Sequence, residues 1–121
     1  VNVADIVAEL DLEIVSATEG LDREITGGYA SDMLSCVMAG AGAGQVWVTL
    51  QAHPNVVAVG DLLGLACVVI TEGTRPDQAT LDRANERGIP ILLTAKTTFT
   101  VVGELAIRGV SGASAKIGVD G

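Results

Sequence analysis

The sequence predicts an α/β fold: a single three-layer domain with a mixed, mostly parallel sheet covered by helices. Three observations predict it. From Gln45 onward, short apolar runs alternate with helical patterns, which implies parallel strands joined by crossover helices. The core material is Val, Ile, Leu and Ala, with aromatics at only 2% (Tyr29, Trp47, Phe99), and such residues suit helices packed on a buried sheet. A first strand and a polar loop precede the alternation and break it, so the sheet is expected to be mixed. At 121 residues the chain is one domain by length, placed at 1–108, with a flexible C-terminal tail at 109–121.

Each element has its own signal. Val3, Ile6, Val7 and Leu10 recur at helical spacing behind Asn2, a good N-cap. Residues 12–17 read as a first strand, bounded by Thr18, Glu19 and Gly20. Residues 26–31 read either as a short strand or merely as extended chain. Asp32 is expected to cap a helix over 33–39, with Met33 and Val37, and also Leu34 and Met38, facing inward. Gly40, Gly42 and Gly44 break that helix. They follow a helix and precede a strand, the reverse of a phosphate-cradling loop. Residues 46–51 alternate as a strand. Pro54 suits the first turn of the next helix, which ends at Gly64. Residues 65–71 form an apolar run typical of a central strand. Asp77 caps a further helix with Leu81 and Ala84 on a narrow apolar stripe, and Gly88 ends it. Residues 89–94 are the next strand, and 98–108 the last helix, with Val101, Val102, Leu105 and Ile107 as its apolar positions. Residues 109–121 are rich in Gly, Ser and Ala and have no sustained period.

The formal net charge is −8. An acidic chain repels phosphate backbones and anionic lipid, so neither nucleic acid nor membrane is an expected partner. The longest apolar run, 56–70, is interrupted by Asp61 and is too short to span a bilayer. The N-terminus lacks the basic segment of a signal peptide, and a cytoplasmic location is expected. Cys36 and Cys67 lie in apolar stretches and are expected as buried free thiols.

Polar residues collect where the parallel strands should end. Gln51, His53 and Asn55 follow one strand, Thr71 and Glu72 the next, and Thr94, Thr97 and Thr98 the third. Ligands bind open parallel sheets at this edge, and helix N-termini there favour anions. Gln51, His53, Asn55, Thr71, Thr94, Thr97 and Thr98 therefore form the candidate ligand site; the alternative is that they only cap helices and loops. His53 is the sole histidine, without an evident nucleophile or metal-ligand cluster beside it. No catalytic residue, metal or cofactor is assigned, beyond a nucleotide or phosphorylated ligand.

The densest motif is Asp22-Arg23-Glu24-Ile25-Thr26-Gly27-Gly28-Tyr29, leading into Ser31-Asp32-Met33-Leu34-Ser35. Its double glycine marks either a forced bend or a place where something packs against main chain. Asp22 and Arg23 read as a local ion pair, a partner contact or a solvated pair. Together with residues 47–55 and 88–94, this motif resembles the DRTGG domain family over about residues 1–108. Glu24 and Ile25 separate Arg23 from Thr26, a spacing similar to that of small stand-alone members. The resemblance implies a fold similar to the N-terminal domains of HPr kinase/phosphorylase and Mur ligases. It also implies the non-catalytic partner of phosphotransacetylase domains and of CBS-domain pyrophosphatases. The motif residues it carries over are Asp22, Arg23, Thr26, Gly27 and Gly28.

The expectation is thus a non-catalytic regulatory module, a homodimer, sensing a small phosphorylated or nucleotide-like ligand. Two alternatives stand beside it. One is a small enzyme acting on a nucleotide or phosphorylated metabolite through His53 and Glu72. The other is a purely structural dimerisation adaptor. Homodimerisation is expected because a small chain with many small apolar residues has limited means to hide them all.

Overall fold

Asn2 opens the first helix as its sequence position predicts. Its Oδ1 accepts from the Asp5 amide at 2.8 Å, and the Asp5 carboxylate accepts from the Asn2 amide at 2.9 Å. This reciprocal capping box satisfies two otherwise unpaired donors. The computed structural model describes residues 1–112. Helix α1, Val3–Leu10, buries Val3, Ile6 and Leu10 and ends on Asp11 in the left-handed region.

The first strand, β1, is Glu13–Ile14, two residues long rather than the six expected at 12–17. Ser16 explains the shortening. Its hydroxyl donates to the Ile89 carbonyl at 2.8 Å and accepts from the Ile91 amide at 2.9 Å. A side chain thus replaces the backbone ladder, and Ala17, at φ 54°, turns the chain into a short 3₁₀ turn. Strand β2 is Gly27–Ala30, helix α2 Leu34–Gly40, strand β3 Gln45–Thr49 and helix α3 Asn55–Leu63. Strand β4 is Cys67–Ile70, helix α4 Gln78–Arg87, strand β5 Ile91–Leu93 and helix α5 Thr98–Ile107. Gly64 and Gly88 end α3 and α4 in the left-handed region, and Asp77 caps α4 through the Thr80 amide.

The sheet order is β1-β5-β4-β3-β2. β1 runs antiparallel to β5, and the other three pairings are parallel. The α/β, mostly parallel fold read from the sequence is the fold observed. The alternation of β3 explains its layers. Trp47 joins the core beneath α2, α3 and α4, while Val46 and Val48 join the core beneath α1 and α5. Every residue of β3 is buried, as a central strand covered on both faces requires.

Four local expectations are corrected. Asp32 does not cap α2: Met33 holds that position, with no side-chain cap. Met33 is 61% exposed and Met38 is exposed too, leaving Val37 as the buried residue of α2. Cys36 is exposed, and only Cys67 is buried. Ile107 is 82% exposed and Val102 is exposed, so α5 packs through Val101 and Leu105. A seven-residue helix makes barely two turns, too few for apolar spacing to identify its inner face.

Beyond α5 the chain turns at Gly109 (φ 91°). Gly28 donates to the Ser111 carbonyl at 2.9 Å, and Gly28 and Gly112 form an isolated parallel bridge. Ordered contacts thus continue past residue 108, along the outer edge of β2. Residues 113–121, the rest of the expected tail, lie outside the described residues.

Candidate functional site at the carboxyl edge of the sheet

β3, β4 and β5 are parallel and end side by side at Thr49, Ile70 and Leu93. Thr71, fully buried, donates its amide to the Thr49 carbonyl at 2.9 Å. Its hydroxyl lies 2.6 Å from the Thr98 hydroxyl. The next residue, Glu72, takes a left-handed backbone (φ 64°) and donates its amide to the Lys96 carbonyl at 2.9 Å. Gly73 donates to the Thr94 carbonyl at 3.1 Å. Thr97 caps α5, its hydroxyl accepting from the Thr100 amide at 3.2 Å, and the Thr94 hydroxyl accepts from the Lys96 amide at 3.1 Å. The loops after β4 and β5 are therefore locked together through Thr71, Glu72, Thr94 and Thr98, while Thr97 bonds into the first turn of α5.

The loop after β3 holds the other candidates. The Gln51 amide donates to the Thr49 hydroxyl at 3.1 Å, and its side-chain amide donates to the Asp32 carbonyl at 3.1 Å. His53 Nδ1 accepts from the Asn55 amide at 3.1 Å, and the His53 carbonyl accepts from Val56. His53 thus serves the first turn of α3. Thr49 links the halves: its carbonyl receives Thr71, and its hydroxyl receives Gln51. Sequence reasoning missed the residue that anchors this link. Asp32 Oδ1 accepts from the Thr49 hydroxyl at 2.9 Å and from the Leu50 amide at 2.8 Å. An acidic residue just ahead of a helix looks like a cap, and nothing local distinguishes the two roles.

Charge decides what this edge favours. The α5 N-terminus carries unpaired amides and a positive dipole end. Glu72 already places a carboxylate there, its Oε2 accepting from the Thr98 amide at 3.1 Å. Lys96 is turned away, its Nζ donating to the Leu10 carbonyl at 3.1 Å and to Glu104 at 3.0 Å. His53 and Glu72 are engaged separately, with no hydrogen bond or ion pair between them among the described residues. Among those residues no group of three or more His, Cys, Asp or Glu side chains is placed to hold a metal ion, and no helix is long and apolar enough to cross a membrane.

The motif loop lies at the opposite edge. Thr26 donates its hydroxyl to the Ala43 carbonyl at 2.9 Å and its amide to Gly44 at 2.9 Å. Gly27 and Gly28 pair with Gln45 and Val46 at the start of β3. Asp22 and Arg23 are exposed, and among the described residues their side chains make no hydrogen bond or ion pair. Arg23 instead borders a cleft of about 300 Å³ lined also by Asp61, Gly64 and Arg87. The C-terminal ends of α3 and α4 meet this edge at Gly64 and Gly88. Helix C-termini carry partial negative charge, which favours cations, and Arg87, paired with Asp61 at 3.1 Å, answers it. The cleft is therefore poorly suited to an anion. Burial pushes the nearby Cys67 thiol up to about 12, with Arg23 opposing.

Layering and strand order define a small α/β domain of the open-sheet class, with a mostly parallel sheet covered on both faces. The chain belongs to the DRTGG domain family, whose model matches residues 5–106. No curated protein sequence matches it. Among solved structures it is similar to the CBS and DRTGG domains of the regulatory region of Clostridium perfringens pyrophosphatase, crystallised with the activator diadenosine tetraphosphate. The TM-score is 0.73 at 15% identity, covering 86% of this chain and 45% of that one. The chain thus spans less than half the length of that relative, and the likeness is one of fold.

Proposed function

We propose that this protein is a non-catalytic regulatory module that self-associates and senses a small phosphorylated or nucleotide-like ligand. One observation carries the reading: the chain has the family and fold of a domain found in a nucleotide-activated regulatory region. The ligand's place in this proposal is the carboxyl edge, against Gln51, His53, Asn55, Thr71, Thr94, Thr97 and Thr98. Parallel strands bring those loops to one side, and residues 51–55 and 94–98 run directly into the N-termini of α3 and α5. Binding is expected to be modest, because Glu72 occupies the α5 N-terminus and Lys96 is bound elsewhere.

A thermal-shift series with diadenosine tetraphosphate, mononucleotides and inorganic phosphate tests the sensing role. A ligand that binds only the folded state raises the melting temperature, by an amount that grows with the logarithm of its concentration over Kd. No shift with any of them would leave the structural adaptor as the better reading. Turnover of a nucleotide by the purified chain would instead support the enzyme reading through His53 and Glu72.

A further inference from the structure

Helix α5 is apolar on both sides. Val101 and Leu105 face the core. On the other side Phe99 is 89% exposed and Ile107 82%, with Val102, Gly103 and Ala106 exposed between them. A helix that is hydrophobic all round is normally covered all round. Phe99, Gly103 and Ile107 follow one another at four-residue steps, and Val102 and Ala106 fill the neighbouring row. The charged residues of this region are drawn off the face: Glu104 to Lys96, and Arg108 to Glu9.

We propose that this face is a homotypic interface, on which the α5 helix of a second copy lies antiparallel with Gly103 at the two-fold axis. This deepens the self-association in the proposed function and rests on it. The occupant follows from the symmetry of the face itself. Phe99 and Ile107 stand four residues either side of Gly103. A two-fold axis there sets each Phe99 against the partner's Ile107, with a bare waist between. A Cβ built on Gly103 meets nothing within 4 Å, so that waist is open. An isologous contact needs this self-complementarity, and a foreign partner does not. Charge points the same way. Two copies each carrying −8 repel over most of their surface, but this face carries no charge and is flanked by two neutralised ion pairs. A ten-residue helix is only about 15 Å long, so the contact falls near the small end of stable interfaces. Assembly is therefore concentration-dependent.

Sedimentation of the full chain over a range of concentrations tests this, with Phe99→Glu, Ile107→Glu and, on α3, Leu62→Glu. Leu62 is 68% exposed and controls for loss of any surface apolar group. The wild type is expected to reach twice the chain mass at tens of micromolar. The two α5 variants should weaken dimerisation at least tenfold, and Leu62→Glu should not. Thermal melts confirm folding, and Gly103→Glu repeats the test should either α5 variant melt early. A wild-type dimer that the α5 variants leave intact overturns the surface while self-association stands. A monomer at all these concentrations overturns both.

Discussion

Gly28 donates its amide to the carbonyl of Ser111 at 2.9 Å, so the double glycine of the motif receives the chain returning from α5. Neither glycine has a positive φ, so conformational freedom is not their reason. Proximity is. A Cβ on Gly27 would lie 3.0 Å from the Ser111 carbonyl oxygen, and one on Gly28 would lie 3.3 Å from Val110 Cγ1. Of the two readings the sequence left open, main chain packed against other groups is the one observed.

Gly27→Val should therefore destabilise the domain by about 1–3 kcal/mol, as overpacking does, while Asp22→Ala, on an exposed side chain, stays within about 0.5 kcal/mol. The Gly28 contact is softer because its neighbour is a side chain. Val110→Ala should recover part of any loss from Gly28→Ala, because the shortened side chain clears the new methyl. Denaturant melts of the two single variants and the double variant measure that coupling. Additive losses would mean that Val110 does not press on Gly28.

Asp32→Ala should cost about 1–3 kcal/mol, although the residue is exposed. Its Oδ1 serves the hydroxyl of Thr49, which is fully buried, and the Leu50 amide. Removing the acceptor leaves a buried hydroxyl short of a partner, and that penalty exceeds the value of an ordinary surface bond. Asp32→Asn, which keeps an oxygen acceptor, should retain most of the stability. Equal melting points for the alanine variant and wild type would show that water replaces the carboxylate without loss.

The parts of the fold that were legible in the sequence are those set by local chemistry. Asn2 and Asp77 cap their helices, Gly64 and Gly88 end theirs, and Val46, Trp47 and Val48 alternate between two cores. Long-range substitutions were not legible. Ser16 replaces a strand's ladder with its hydroxyl, and Asp32 looks like a cap but ties β3 instead. The return of Ser111 to Gly28 has no local pattern, because its partner lies at the far end of the chain. At the candidate site, topology alone brought Thr71 beside Thr98. That Glu72 fills the α5 N-terminus depends on its left-handed backbone, a conformation no propensity assigns to glutamate.

The two cysteines should react at very different rates. Cys36 is exposed, its Sγ 3.6 Å from Met33 Sδ. Cys67 lies within the sheet, with its thiol pushed up to about 12 by burial, so it presents almost no thiolate near neutral pH. An aromatic disulfide reagent added to native protein should label one thiol promptly and the second only as the domain unfolds. Prompt labelling of both would show that β4 opens locally without global unfolding.

The site prediction turns on Glu72. If a small anionic ligand binds the carboxyl edge, it must share the α5 N-terminus with a carboxylate already 3.1 Å from the Thr98 amide. Glu72→Gln removes that competing charge and should tighten binding several-fold. His53→Ala and Thr97→Ala should weaken it, because each group shapes a helix N-terminus at this edge. Thr97→Ala also removes a cap and should lower stability by about 1 kcal/mol, which shifts the melting point without unfolding the domain. Chemical-shift mapping with diadenosine tetraphosphate locates the contact directly. Shifts centred on Gln51, Thr71 and Thr98 support this edge, and tighter binding by Glu72→Gln separates competition from mere proximity. Shifts centred on the Arg23–Arg87 cleft would overturn it, and would mean that the two arginines outweigh the helix C-termini beside them.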